Sequence, residues 1–252
     1  MRRTAPPNDP ENMFAMIFLS HPSLAKICAL GCGRCQPSAH MTTPLQVETL
    51  ALGPVETNAY VVADIATLQC VVIDAAWDAP LLEERIVARG WTLAAIWQTH
   101  AHFDHIGAVA GLMRTNPKLP LALHALDSDL YDSKGGATMW GVPMEAGPKP
   151  TDWLAAGQVL ALGSLHFTVL FVPGHTPGHV AFFEPIGGVL FGGDVLFRGG
   201  VGRTDIPGAS HDELMHSIQS QFMVLPDATV VYPGHGRPTT IGAERKANPF
   251  LR

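Results

Sequence analysis

Beyond residue 45 the apolar residues fall in short runs separated by turns rich in glycine and proline. That pattern predicts strands with a few helices, not a helical bundle. Residues 49–52 and 60–63 read as strands around a turn at Gly53-Pro54. Residues 70–74, Cys-Val-Val-Ile-Asp, read as a buried strand ending in a carboxylate. Residues 79–89 have helical spacing and stop at Gly90. An apolar strand over 93–99, a helix over 106–115 that ends before Pro117, and a short strand over 121–123 follow. Residues 125–157 are irregular, which predicts a surface lid or connecting loops. A run of strands over 159–162, 165–172, 180–183 and 189–191 comes next. A helix over 212–222, capped by Ser210, and a last strand over 229–232 complete the pattern. Strands in runs with helices between them predict an α/β fold of two packed sheets flanked by helices.

Residues 1–40 differ from this pattern. Ser20, His21 and Pro22 interrupt a short apolar run after Arg2 and Arg3, so the match to a secretory signal is poor. Cys28, Cys32 and Cys35 have a spacing that an iron–sulfur cluster can use, but nothing downstream supports that chemistry. The expectation is an unstructured extension, or a misassigned start with Met41 as the natural one, followed by a single domain over 41–252. The fourth cysteine, Cys70, lies in a buried strand, so the set does not read as a disulfide framework and a reducing cytoplasm is expected. A hydrophobic fraction of 47% is globular composition. The net charge of −6 gives no electrostatic help toward nucleic acid. No apolar stretch reaches the ~20 residues that span a bilayer.

The chemistry concentrates where strands end. His100-Ala-His102-Phe-Asp104-His105 follows one strand. If the strand geometry continues, His100 and His102 point to one side and can share an ion. Asp104 and His105 enter a helix and can serve a second ion. Pro173-Gly-His175, Gly192-Gly-Asp194 and Pro233-Gly-His235 each follow another predicted strand, with glycines that allow sharp turns. A lone histidine after a strand is usually structural. Several ionisable side chains packed together without a metal would be costly, so the H-x-H-x-D-H group points to one. Zinc suits imidazole and carboxylate donors, and iron and manganese suit them too. Asp74, at its strand end, is a candidate to orient a ligand from behind, or a strand cap. His179 is expected to support the centre from outside it. His124, His166, His211 and His216 are expected in surface or structural roles, and Met113, Met139 and Met144 in packing.

Together these motifs resemble the metallo-β-lactamase superfamily over about residues 45–252. The resemblance implies a four-layer αββα fold with two mixed sheets. It also implies two divalent metal ions, zinc first. One would be held by His100, His102 and His175 and the other by Asp104, His105 and His235, with Asp194 bridging and Asp104 also serving catalysis. A hydroxide between the metals would be the nucleophile.

Asp194 stands where true β-lactamases of the superfamily usually lack an aspartate, and the acidic charge disfavours its nucleases. Residues 193–205, with Gly202-Arg203-Thr204-Asp205, and residues 244–250 are similar to segments of glyoxalase II-like enzymes. That likeness implies hydrolysis of a thioester such as S-D-lactoylglutathione, with Arg203, Arg245 and Lys246 as substrate-binding residues. Arg203 could instead be fixed by Asp205. Only 17 residues follow His235, so, against the helical region with which long glyoxalase II proteins grip glutathione, the glutathione site is expected to be partly missing or built from Arg203, Arg245 and Lys246 alone. The rival within the superfamily is a persulfide dioxygenase with one iron on His100, His175 and Asp194. A lactonase is a third reading.

Overall fold

A computed structural model describes residues 43–252. The first half comprises β1 (Leu45–Leu52), β2 (Thr57–Asp64), β3 (Gln69–Ile73), α1 (Ala79–Ala88), β4 (Thr92–Trp97), α2 (Phe103–Ile106), α3 (Val109–Thr115), β5 (Leu121–His124), α4 (Ser128–Asp132) and β6 (Asp152–Leu154). The second half comprises β7 (Val159–Leu162), β8 (Leu165–Phe171), β9 (Val180–Glu184), β10 (Val189–Gly193), the hairpin β11 (Leu196–Phe197) and β12 (Gly200–Val201), α5 (His211–Ser217), β13 (Val230–Pro233), β14 (Thr239–Thr240) and α6 (Ile241–Ala247).

The strands form two six-stranded mixed sheets, ordered β1-β2-β3-β4-β5-β6 and β14-β13-β10-β9-β8-β7. β3, β4, β5 and β6 run parallel, as do β10 and β13. Parallel neighbours finish at the same sheet edge, which gathers the loops after them.

Side-chain alternation produces the layers. In β2, Val61 and Ala63 face helices α1 and α3, while Tyr60 and Val62 face the other sheet. β3 repeats this with Val72 outward and Val71 and Ile73 inward. Phe167, Val169, Phe182 and Phe191 of the second sheet complete the inner layer. On that sheet's far side, Leu190 and Val231 pack against Leu214, Ile218, Phe222 and Ile241. Three apolar layers between four structural layers make the αββα architecture that the resemblance implies.

Local signals set the helix ends. Asp78 accepts from the Leu81 amide at the start of α1, and Ser210 accepts from Glu213 N at the start of α5. The expected single helix over 106–115 is divided into α2 and α3 at Gly107, whose backbone packs against Ala76 O and Trp77. Residues 125–157 hold α4, two 3-10 segments and strand β6, more order than their composition predicts. β14 and α6 also lie beyond the expected last strand. The expectations for residues 1–40, including Cys28, Cys32 and Cys35, lie outside the described residues. Among the described residues no helix is long and apolar enough to cross a membrane.

Candidate metal centre

β4 stops at Trp97, so His100 and His102 are not strand neighbours as the sequence predicts. The ladder breaks because the Thr99 amide donates to Asp74 Oδ1 instead of to a strand. The chain then turns through His100 and His102 into α2, which presents Asp104 and His105 from its first turn. Glycine-rich turns after β8, β10 and β13 bring His175, Asp194 and His235 to the same edge.

The predicted donors form two triads. In His100, His102 and His175, and in Asp104, His105 and His235, one donor atom per residue lies within 4.8 Å of the others in its triad. Nδ1 of His102 stands 2.9 Å from Nε2 of His175. Nε2 of His235 is 3.2 Å from Asp104 Oδ2. Asp194 sits between the triads. Its Oδ1 lies 3.5 Å from His105 Nε2, and its Oδ2 lies 3.5 Å from Nε2 of both His175 and His235.

The outward-facing nitrogens are tied to the protein. Nδ1 of His105 donates to Asp74 Oδ2, Nδ1 of His175 to Arg203 O, and Nδ1 of His235 to Val55 O. Nδ1 of His100 donates to the Thr99 hydroxyl, which itself donates to Asp74. These bonds fix the rings with their inner nitrogens toward the centre. Inside, His100 Nε2, His105 Nε2 and Asp194 Oδ1 are buried and make no hydrogen bond among the described residues. Orphaned buried donors and acceptors are costly. A divalent cation satisfies this set, so the residues present fit the two metal ions that the superfamily implies. The third possible triad, Asp74 with His100 and His105, is a support: both Asp74 oxygens already accept hydrogen bonds.

Electrostatics agree. Burial opposes ionising Asp104, but His105, His235 and the Thr57 hydroxyl outweigh it and hold the carboxyl at about 2. Asp194 is likewise held well below the usual range against its burial. Burial and the neighbouring His175 push His102 down to about 3, and burial with the surrounding imidazoles keeps His100 neutral. The carboxylates and the neutral rings of His100 and His102 are in the donor states that metal binding requires. Against burial, however, Asp104 and Asp194 raise His105 well above its usual value and His235 to about 10, so those two rings would give up a proton to a cation.

Several supporting residues carry no sequence motif. The Thr57 hydroxyl donates to Asp104 Oδ2. Asn58 Nδ2 donates to Pro233 O and Gly236 O, and the Tyr60 hydroxyl also donates to Pro233 O, so β2 holds the turn that carries His235. Buried Asp127 accepts from Ala101 N, Thr176 Oγ1 and Gly178 N, joining the His100 and His175 loops. A Cβ on Gly234 would stand 2.0 Å from Asp194 Oδ1, so that turn admits no side chain. His179, expected as a support, accepts the Asp194 amide on Nε2 and stacks on His100 with ring centroids 4.7 Å apart.

The candidate substrate residues divide. Arg203 borders the cavity over the centre and is paired with Asp205, so the ion pair weighed for it is present and its position leaves it within reach of a ligand. Arg245 points away: it pairs with Asp227 and donates to Met223 O and Leu225 O. Neither Arg245 nor Lys246 lines that cavity, which corrects their expected role. In residues 244–248 the side chains that turn inward are Glu244 and Asn248. Glu244 accepts from Gly199 N, and Asn248 donates to Gly200 O, anchoring the β11–β12 hairpin. Met139, expected in packing, is exposed at the cavity mouth, because the 3-10 segment Lys134–Trp140 lies over the centre and not in the core. Met113 is buried as expected.

Comparison with known proteins agrees with this geometry. The metallo-beta-lactamase superfamily profile matches residues 52–235. The chain is 37% identical over 206 residues to the probable metallo-hydrolase YqgX of Bacillus subtilis (strain 168), covering 80% of this chain and 95% of that one. It is 37% identical over 182 residues to the hydroxyacylglutathione hydrolase GloC of Haemophilus influenzae, covering 71% and 86%. Among solved structures, the BLEG-1 B3 metallo-beta-lactamase aligns at TM-score 0.77 and 37% identity, covering 82% of this chain and 99% of that one. TTHA1623 in a di-iron-bound form aligns at 0.75 and 42%, covering 81% and 100%. ETHE1 from Myxococcus xanthus aligns at 0.68 and 27%, covering 82% and 84%.

Proposed function

The chain belongs to the metallo-β-lactamase superfamily, and we propose that it is a metal-dependent hydrolase of thioesters such as S-D-lactoylglutathione. The position of Asp194 carries the reading. One of its oxygens faces His105 and the other faces His175 and His235, so one carboxylate can serve two ions. His100, His102 and His175 would hold the first, and Asp104, His105 and His235 the second. Two divalent ions held there would supply hydroxide at neutral pH and would polarise a carbonyl. Zinc is the ion proposed, with iron the alternative that the di-iron TTHA1623 supports.

The chain's own residues contribute position and shelter. Asp74, Thr99, Arg203 O and Val55 O hold four imidazoles in place, which fixes where a nucleophile is delivered. Among the described residues the cavity lining contains no Ser, Thr, Cys or Lys, so no hydroxyl, thiol or amine nucleophile is supplied there. Water oxygen adds to the thioester carbonyl carbon, the C–S bond breaks, and a carboxylic acid and a thiol leave. The likeness to GloC supports the thioester class. We propose a small-molecule substrate, no nucleic-acid or membrane partner, and a cytoplasmic location.

A second reading rests on a specific set. A persulfide dioxygenase would hold one iron on His100, His175 and Asp194, of which His175 Nε2 stands 3.5 Å from Asp194 Oδ2.

Metal content per chain, with thioester hydrolysis followed at the thioester absorbance, tests the proposal. Close to two ions and metal-dependent hydrolysis support it. About one iron, no thioester loss, and oxygen uptake with glutathione persulfide overturn it. A chromogenic β-lactam is assayed alongside because of the likeness to BLEG-1. Turnover of that compound in place of thioesters would also overturn it.

A further inference from the structure

The cavity above the centre, about 270 Å³, has a polar floor and apolar walls. Val55, Phe103, Leu130, Met139, Trp140 and Ile206 supply the walls. Met139 is 71% and Trp140 55% exposed, and large apolar groups at a concave mouth are available to a ligand. Among the described residues Arg203 is the one Lys or Arg in the lining. Its guanidinium lies 5.7 Å from the Trp140 ring centroid, within cation–π range. Asp205 takes Nε at 2.8 Å and Nη2 at 2.9 Å, and among the described residues Nη1 has no partner. Arg245 and Lys246 bring no further positive charge to this mouth.

We propose that Trp140 and Arg203 form a specificity clamp that selects thioesters with an apolar or aromatic body and a single carboxylate. The inference rests on the hydrolase reading and narrows its substrate. The apolar body stacks on Trp140 and the walls, and the carboxylate docks on the free edge of Arg203. A glutathione thioester is a poorer fit. It brings two carboxylates and an ammonium to walls where the described residues supply one cationic side chain, and its remaining charges would sit beside apolar surface. Asp205 competes for Arg203, so it tempers the affinity for the substrate carboxylate.

Three thioesters are compared on the metal-loaded full chain: S-benzoyl-3-mercaptopropionate, its neutral counterpart S-benzoyl-N-acetylcysteamine, and S-D-lactoylglutathione. The anionic benzoyl compound is expected to have the highest kcat/KM. Trp140→Ala raises KM for both benzoyl compounds about tenfold, with kcat moved less, as expected for loss of one aromatic contact. Arg203→Gln removes the advantage of the anionic compound over the neutral one. Asp205→Asn enlarges it.

A preference for S-D-lactoylglutathione that Asp205→Asn weakens would overturn the clamp. It would show that the Arg203–Asp205 pair reads a zwitterion instead. Benzoyl compounds insensitive to Trp140 would overturn it as well. Calorimetric binding of S-benzyl-3-mercaptopropionate, a thioether that cannot be hydrolysed, separates the two readings. Trp140-dependent binding without hydrolysis of any thioester keeps the clamp and removes the hydrolase.

Discussion

Asp74 accepts Nδ1–H of His105 at 2.9 Å, and the same carboxylate oxygen accepts the Thr99 hydroxyl that supports His100. One side chain therefore steadies an imidazole in each donor triad. It does so from φ +55, a left-handed conformation that aspartate tolerates better than most residues. Asp74→Asn keeps the shape and removes the charge. Metal affinity is expected to fall about 10- to 100-fold, read by competition with a chromogenic chelator. Unchanged affinity would show that Asp74 only caps its strand.

His102→Ala removes one donor of the first triad, from the half-exposed coil before α2. Hydrolysis should fall severely while the circular dichroism spectrum and cooperative unfolding are retained. Metal content should drop toward one ion per chain. Full activity in this variant would remove the two-metal mechanism.

Gly234→Ala places a methyl 2.0 Å from Asp194 Oδ1 and 2.7 Å from His105 Cε1. Overpacking of this kind costs about 1–3 kcal/mol, and here it also displaces Asp194. Both Tm and metal stoichiometry should fall. Gly236→Ala, at φ +74 with open space for its Cβ, is the control. It strains the backbone without touching Asp194, so its metal stoichiometry should hold.

Asp64 supplies the pH dependence. It is buried and accepts from Ser164 N and Oγ, Ala66 N and Thr67 Oγ1. Burial opposes its ionisation, but these donors outweigh it and lower its pKa from 3.8. A carboxyl lowered on folding adds stability above its unfolded pKa, and that stability is lost as pH falls through the folded value. Asp64→Asn should cost about 1–3 kcal/mol at pH 7 through imperfectly satisfied donors. It should also flatten the decline of stability as the pH falls below about 4, the unfolded carboxylate value. Urea unfolding from neutral pH down through that value reads both, and parallel declines in the two proteins would refute the assignment.

Much of the centre is legible in the sequence because each donor follows a strand and glycines or a helix start mark the turn. The four-layer fold follows from period-two alternation in strands such as β2 and β3. What was hidden depends on partners distant along the chain. Thr57 and Asn58 read as ordinary strand residues until β2 is seen beside Asp104 and the His235 turn. Asp127 lies in a stretch that composition marks as loop, and its value comes from amides at 101 and 178. Arg245 and Lys246 stand out by charge, whereas the neighbours that matter, Glu244 and Asn248, face inward, which the short α6 does not reveal. The strand before His100 ends early because an Asp74 side chain replaces a backbone partner, and no local pattern encodes that exchange.

The division of the donors has a consequence for how the protein comes into being. The junction between the sheets falls at residues 155–158. His100, His102, Asp104 and His105 precede it, and His175, Asp194 and His235 follow it. Neither half of the gene encodes a complete coordination sphere. The reactive centre is thus a seam, absent from both pieces and created when they meet, and an ion seated in it would register that the two halves of the chain have found each other.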